Sequence, residues 1–347
     1  KQHAARLLPL DAEAACNLGH SLQDLDQTTQ AETVLLQALA LRPDYPEAHN
    51  NLAITYQKMG RLNAAEAHFR AALALVPQHK SIFGNLLFTR NYHPDHSAEA
   101  VYADYQAYEQ RIASPLRAHW QPHANSRVPG RRLKVGYVSP DFRTHACMHF
   151  IEPLLAHHRA EVVEVTAYAD LAQEDAASLR YRALVDHWVP TRNLTDEALA
   201  ARIRADGIDI LVDMAGHTTG NRLGVFARKP APVSLSWLGF GYTTGLRAID
   251  YFLTDAACVP PGNEHLFSEE PWRLPGDCFA AYRPHPGMGE VGPLPALERG
   301  HVTLGTLTRG VRINHRTIRV WAQILRELPG ARLLLDSGSF VDASSQQ

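Results

Sequence analysis

Apolar residues fall into two rhythms along this chain. In the first hundred or so residues they recur every three to four positions, the spacing of helices that bury one stripe. The pattern then returns after 34 positions. Asn17-Leu18 aligns with Asn51-Leu52 and Asn85-Leu86, Ala31 with Ala65, Leu35 with Phe69, Ala38 with Ala72, Leu41 with Leu75, and Pro43 with Pro77. Beyond residue 132, short apolar runs end in turn residues and alternate with helical spacing. Residues 133–139, 162–169, 208–213, 233–238, 251–255, 302–308 and 331–336 read as strands, and 194–206 and 317–328 as helices. Such alternation predicts a parallel, doubly wound sheet, in which ligands bind beyond the carboxyl ends of the strands.

A 34-residue period is that of tetratricopeptide repeats, helix pairs that cannot bury their apolar faces alone and stack into a superhelix with a concave surface. In the second copy Ala53 and Ala65 let two helices approach, Tyr56 and Phe69 fill the gap, Gly60 permits a left-handed turn and Pro77 stops the second helix. Two clear copies and a weaker third are present, so further repeats are expected before Lys1. Asn17, Asn51 and Asn85 recur once per copy. An amide carries donor and acceptor, so this ladder either binds an extended peptide backbone or bonds a neighbouring helix and fixes repeat geometry. One more amphipathic helix follows within residues 93–115, and Pro115, Pro122, Pro129 and Gly130 then mark a linker. The expected division is 1–115 repeats and following helix, 116–131 linker, 132–300 a Rossmann-like lobe, and 301–347 the start of a second lobe.

Composition narrows the function classes. With 347 residues, 45% hydrophobic and 20% charged, the chain reads as two or three soluble domains. A formal net charge of −2 gives no field that would gather nucleic acid or an anionic membrane. The four cysteines lie far apart without a Cys-x-x-Cys pair, which argues against a disulfide framework or zinc fold and for a reducing cytoplasm. Neither a secretory signal nor a membrane-length apolar run is read. The chain has no initiator Met and reads as an excerpt.

Candidate chemistry sits at the strand ends. Asp141, Arg143, His145 and His149 crowd residues 139–149. Two histidines four apart suit a metal, but the glutamate of a His-Glu-x-x-His motif is missing, so no metal is expected. A strand-end histidine bonds a sugar hydroxyl, senses phosphate or exchanges protons near neutral pH, or simply braces its loop. Residues 213–222 gather Asp213, His217, Thr218, Asn221 and Arg222 around Gly216 and Gly220. They make either a polyol- or phosphate-binding loop or a Gly-rich turn with Asn221 capping the next helix. Residues 239–245 read as a tight turn as readily as a site. Arg309, Arg312, His315 and Arg316 follow strand 302–308, as a phosphate site or a solvated basic face.

In combined order these segments resemble the O-GlcNAc transferase family, including its bacterial members and the plant SPINDLY branch. The matching runs are Leu86-Leu-Phe-Thr-Arg-Asn-Tyr-His93, Val135-Gly-Tyr-Val-Ser-Pro-Asp-Phe142, Gly216-His-Thr-Thr-Gly-Asn-Arg-Leu223, Arg228-Lys-Pro-Ala-Pro-Val233, Trp237-Leu-Gly239, Asp250-Tyr251 and the helix start from Arg312. The resemblance implies a repeat superhelix followed by Rossmann-like lobes of GT-B type, with no metal or resident cofactor. It also implies transfer of a sugar from a nucleotide donor to Ser or Thr of proteins bound along the repeats, or to Asn in one branch. GlcNAc from UDP-GlcNAc is the first expectation. Fucose from GDP-fucose is the alternative, because the residues 216–223 run looks closer to SPINDLY. His145 matches the family's active-site histidine. Arg312 stands where the best-known members place a lysine that steadies the donor diphosphate, and Arg309 replaces a polar amide. On this reading Arg309, Arg312, His217, Thr218 and Asn221 face the donor, Asp213 helps remove the acceptor proton, and Asn17, Asn51 and Asn85 hold peptide. The family's later donor-binding segments have no counterpart before Gln347. The competing expectation is a catalytically inactive, repeat-based interaction module, and a weaker one is a cytoplasmic Asn-glucosyltransferase of the same superfamily.

Overall fold

The computed structural model describes residues 11–276, 278–284 and 287–336. Two compact units result, one built from residues up to Ser97 together with those from Glu290, the other from Ala98–Gly289.

In the first unit the period of 34 becomes five helices: α1 (Ala12–Asp24), α2 (Thr28–Leu41), α3 (Pro46–Lys58), α4 (Leu62–Leu75) and α5 (Lys80–Arg90). Asp11 caps α1, accepting the Glu13 amide, and Pro46 opens α3, where its missing N–H costs nothing. Gly60 takes φ +73 between α3 and α4, the turn its position predicts. Ala53, Ala65 and Phe69 are fully buried, while Ala31, Leu35, Ala38, Ala48 and Leu52 join the first copy to the second. Polar side chains repeat the period as well. Gln23 donates to Thr55 Oγ1 at 2.5 Å, and 34 residues later Gln57 donates to Thr89 Oγ1 at 2.6 Å. Each repeat is therefore bolted to the next by the same bond.

The rest of this unit is a strand–helix–strand: β8 (Thr303–Thr306) runs parallel to β9 (Arg332–Leu335), with α12 (His315–Glu327) between them, and α11 (Pro295–Arg299) precedes them.

The second unit starts with α6 (Ala98–Tyr108), a π-turn over Glu109–Ala113 and a 3-10 turn over Ser114–His119. Then come β1 (Leu133–Ser139), α7 (Met148–Ala156), β2 (Val163–Ala169), α8 (Ala176–Ala183), β3 (His187–Pro190), α9 (Asp196–Ala205), β4 (Ile210–Asp213), α10 (Leu223–Phe226), β5 (Val233–Ser236), β6 (Tyr251–Thr254) and β7 (Glu270–Arg273). All seven strands pair in parallel in the order β3-β2-β1-β4-β5-β6-β7. The order reverses at β1 and β4, opening the crevice where such folds seat ligands. Val135, Tyr137, Val165, Ala167 and Val212 fill one side of the sheet beneath Ile151, Leu155 and Tyr181.

Three features depart from the sequence reading. Helix α6 packs in the second unit, with Tyr105 and Tyr108 buried beside His217. The Pro-rich stretch 116–131 is fastened rather than loose: Trp120 Nε1 donates to Ala227 O at 2.8 Å, Asn125 to Gly207 O and Ile208 O, and Arg131 pairs with Asp209 at 2.5 Å. Strands β3 and β7 were not expected. Both are edge strands, partly exposed and without an apolar run, and β7 carries Pro271, tolerable only where one side needs no partner.

Candidate functional site

Three loops rise from the carboxyl ends of the central strands: residues 140–147 after β1, 214–222 after β4 and 237–245 after β5. They interlock tightly. A Cβ on Gly239 would sit 1.8 Å from Met214 O, and one on Gly216 would sit 2.2 Å from Phe240 Cβ. Gly220 faces Pro140 at 3.0 Å by the same measure, so the β1 and β4 loops touch at the crevice. Leu238 holds φ +70, a strained backbone that the close approach imposes on a branched residue.

His145 lies on the first loop, 36% exposed. Its Nδ1 accepts the Cys147 amide at 3.3 Å, which leaves Nε2 as the protonated nitrogen of the neutral ring, 3.8 Å from Asp141 Oδ1. Asp141, nearly buried, also meets Arg143 at 3.3 Å. The loop is anchored from behind: Asp175, the N-cap of α8, accepts the Thr144 amide at 2.7 Å as well as the Ser178 amide. Those amides hold its carboxyl well below the usual carboxylate range. His145 is thus a partly exposed imidazole on a braced loop, with one nitrogen directed by the protein and the other able to meet a ligand.

The second loop corrects several expectations. Asp213 is 1% exposed, and three donors serve its oxygens: the Ala215 amide at 3.2 Å, the Gly216 amide at 3.0 Å and Ser236 Oγ at 2.9 Å. Burial pushes its carboxyl up, with those three bonds opposing. These three donors make Asp213 a brace of the turn, its oxygens already engaged within the protein. His217, 5% exposed, donates from Nε2 to Thr244 O at 2.7 Å and lies edge-on among Tyr105, Tyr108 and Phe240. Burial drives it down to about 4. It pins one loop to another, with its Nε2 committed to the Thr244 carbonyl. Thr218 Oγ1 donates to Ala215 O, and Asn221 Nδ2 donates to Thr218 O while its Oδ1 accepts the Leu223 amide. These bonds make both half-buried residues loop formers; Arg222, not Asn221, occupies the N-cap position of α10, where no side chain caps the helix.

Sequence reasoning missed what holds this loop down. Arg222 reaches Asp170 at 2.9 Å, Asp196 at 3.2 Å and the carbonyls of Leu194 and Thr191. Glu269, buried beside the third loop, accepts from Thr243 Oγ1 at 2.5 Å, from the Thr244 amide at 2.8 Å and from the Thr244 hydroxyl. The available signal was acids closing strands: Asp170, Asp213 and Asp255 each follow or end one.

In the first unit Arg309 and Arg312 are exposed between β8 and α12, where a basic group after a strand was expected. The Arg312 guanidinium stands 5.7 Å over the Tyr92 ring, and His315 and Arg316 both reach Asp95 at 3.3 Å. Asn314 caps α12, taking the Arg316 and Thr317 amides, so an anion here would be held by side chains rather than by the capped helix end.

The periodic asparagines share one geometry. Asn51 Nδ2 reaches Cys16 Sγ at 3.4 Å, and Asn85 Nδ2 reaches Asn50 Oδ1 at 3.0 Å, the corresponding residue one repeat on. Asn17 is exposed, and its carbonyl accepts from Ser21 as those of Asn51 and Asn85 accept from Thr55 and Thr89. These amides bond neighbouring helices, and the geometry neither requires nor prevents an added peptide. Among the described residues Glu66, His93 and His96 converge within 4.8 Å. Glu66 already pairs with Arg70 at 2.9 Å, buried Arg90 at 3.1 Å and His96 at 2.7 Å. Two guanidiniums on one carboxylate make this a cross-brace at the end of the repeats.

Fold, crevice and interlocked loops together define a Rossmann-type lobe that follows helical repeats in the chain, and the comparisons agree. The profile of glycosyl transferase family 41 matches residues 108–281, and a tetratricopeptide profile matches residues 10–78. The chain belongs to glycosyl transferase family 41. It is 37% identical over 267 residues to the SPINDLY UDP-N-acetylglucosamine–peptide N-acetylglucosaminyltransferase of Solanum lycopersicum, covering 75% of this chain and 28% of the relative. A Caenorhabditis elegans UDP-N-acetylglucosamine–peptide N-acetylglucosaminyltransferase is 36% identical over 159 residues, 45% of this chain and 13% of the relative. A solved lysine-to-methionine variant of the Thermobaculum terrenum O-GlcNAc transferase superposes with a TM-score of 0.90 at 32% identity, covering 99% of this chain and 65% of that one. The chain therefore spans about a quarter of its SPINDLY relatives and about two thirds of the bacterial transferase.

Proposed function

We propose that this chain supplies the repeats, the acceptor-side lobe and the beginning of the donor lobe of a protein O-glycosyltransferase. It would move GlcNAc from UDP-GlcNAc to Ser or Thr side chains. The observation that carries the reading is His145: a half-exposed imidazole on a braced loop, at the sheet's reversal point, in a fold matched over 99% of its length by an O-GlcNAc transferase. The acceptor hydroxyl attacks the anomeric carbon, the bond to the diphosphate breaks, and the hydroxyl proton passes to water or phosphate. His145 orients the reacting groups from Nε2. Arg312 and Arg309 hold the departing negative charge, and a guanidinium does this bidentately where an ammonium acts as a point charge. No resident cofactor is called for. Acceptor protein lies along the repeats, where the asparagine amides have acceptor capacity to spare.

No helix among the described residues is long and apolar enough to cross a membrane, which suits an enzyme acting on cytoplasmic proteins. GDP-fucose is the alternative donor, suggested by the resemblance of the residues 216–223 run to the SPINDLY branch. The test is transfer of labelled sugar to Ser/Thr peptides, in a protein that joins this chain to a complete donor lobe, with UDP-GlcNAc and GDP-fucose offered in parallel. Incorporation from UDP-GlcNAc alone supports the first reading and incorporation from GDP-fucose alone the second. Peptide binding without transfer from either donor would mark an interaction module.

A further inference from the structure

Cys258 and Cys278 stand on two segments that share one carboxylate. Asp255, just past the carboxyl end of β6, accepts the Cys258 amide through Oδ1 at 2.7 Å and the Phe279 amide through Oδ2 at 2.9 Å. Two amides bound by a single carboxylate lie no more than about 8 Å apart, and Cys278 immediately precedes Phe279. Both thiols are exposed, whereas Cys16 is buried and Cys147 half-buried. A disulfide spans Cα separations of roughly 4.4–6.8 Å, so the shared carboxylate sets the two cysteine segments side by side and closing the bond requires them to draw together.

The segment after Cys278 covers the backing of the candidate site. Phe279 O accepts from Trp237 Nε1 at 3.0 Å, and the Arg283 amide donates to His149 O at 2.8 Å, four residues beyond His145. The Tyr282 ring packs on His149 and Phe150.

We propose that Cys258 and Cys278 form a reversible disulfide that locks residues 278–284 onto the sheet, a redox-sensitive device apart from the sugar chemistry. Partial burial, the Asp255 carboxylate and the neighbouring Cys278 thiol push the Cys258 thiol up, which disfavours it as the first attacker, and Cys278 attacks once its thiol releases the Ala280 carbonyl to which it donates at 2.7 Å. With a low-molecular-weight disulfide such as oxidised glutathione, the Cys278 thiolate attacks one sulfur, forms a mixed disulfide and releases one glutathione thiolate. The Cys258 thiolate then attacks the Cys278 sulfur and releases the second glutathione. Two protein thiols are oxidised, the glutathione disulfide is reduced, and the two protons go to the released thiolates.

The test equilibrates the whole chain in glutathione buffers of increasing oxidation, quenches with acid, and digests without reduction for mass spectrometry. An intramolecular Cys258–Cys278 peptide pair is expected, forming faster as pH rises. C258S should accumulate a single glutathione adduct on Cys278, and C278S should leave Cys258 largely free. Amide exchange at Phe279 and Arg283 should slow by about tenfold or more in the oxidised chain. Recovery of the two cysteines only as free thiols or separate adducts would overturn the disulfide. A cross-link without slowed exchange would overturn the lock.

Discussion

His217 should write a measurable pH dependence into the stability of the second unit. Burial lowers its imidazole to about 4, with the bond to Thr244 O partly opposing. The folded chain therefore keeps it neutral down to about pH 4, while the unfolded chain protonates near the ordinary value of about 6.5. Between those limits the unfolded state binds more protons, so acidification destabilises the fold. The contribution is fully present above pH ~6.5 and shrinks by about 1.4 kcal/mol per pH unit, or ~3 kcal/mol across the window. Buried Asp213 and Glu269 work the other way. Their carboxyls are raised, so each favours folding more as pH falls toward the ordinary carboxylate range. His217→Gln separates these effects, because its amide can still donate to Thr244 O but does not titrate. Urea unfolding at pH 4.5–7.5, followed by tryptophan fluorescence, reports mainly on this unit, which holds Trp120, Trp188, Trp237 and Trp272. The stability of the wild type relative to His217→Gln should fall by about 2–3 kcal/mol from pH 7 to pH 4.5. Parallel curves, with a difference constant within ~0.5 kcal/mol, would refute the burial argument.

Three further outcomes follow from the interlocked loops and the repeats. Gly239→Ala drives a Cβ into Met214 O and should destabilise by ~3 kcal/mol, lowering the Tm by about 6–12 °C; a shift of only a degree or two would mean the loops part easily. Arg222→Ala removes the guanidinium that Asp170 and Asp196 share, leaving Asp170 with the longer Arg192 contact at 3.8 Å, and should cost on the order of 3 kcal/mol. It should also raise the donor KM more than it lowers kcat, and an unchanged KM would detach this brace from the site. Asn51→Ala and Asn85→Ala should each weaken peptide binding by roughly three- to tenfold and leave the helical signal intact. Equal affinity in both variants, measured by calorimetry, would assign the asparagines to repeat geometry alone.

The parts of the fold legible in the sequence were those with strong periodicity. The 34-residue shift placed Ala53, Ala65 and Phe69 in the repeat core, and apolar runs located β1, β2, β4, β5, β6, β8 and β9 to within a few residues. β3 and β7 escaped because an edge strand needs neither an apolar run nor every amide, and Pro271 reads as a breaker. For the site, position along the sheet was readable and burial was not. His145 and His217 both follow strand ends and look alike in sequence, yet one is half-exposed and the other sits in an aromatic cage supplied by α6, more than a hundred residues earlier. Asp213 likewise had the look of a base, and only the enclosing donors from Ala215, Gly216 and Ser236 make it a brace.

The account rests on His145 facing the reacting groups while His217 and Asp213 only support the loops. The most direct test is kcat for sugar transfer by His145→Ala and His217→Gln, in protein that carries this chain with a complete donor lobe. His145→Ala should lose about 10²–10⁴-fold in kcat with an unchanged unfolding profile, and His217→Gln should stay within roughly threefold of wild type at pH 7.5. A His145→Ala enzyme that turns over at near wild-type rate would contradict the central claim.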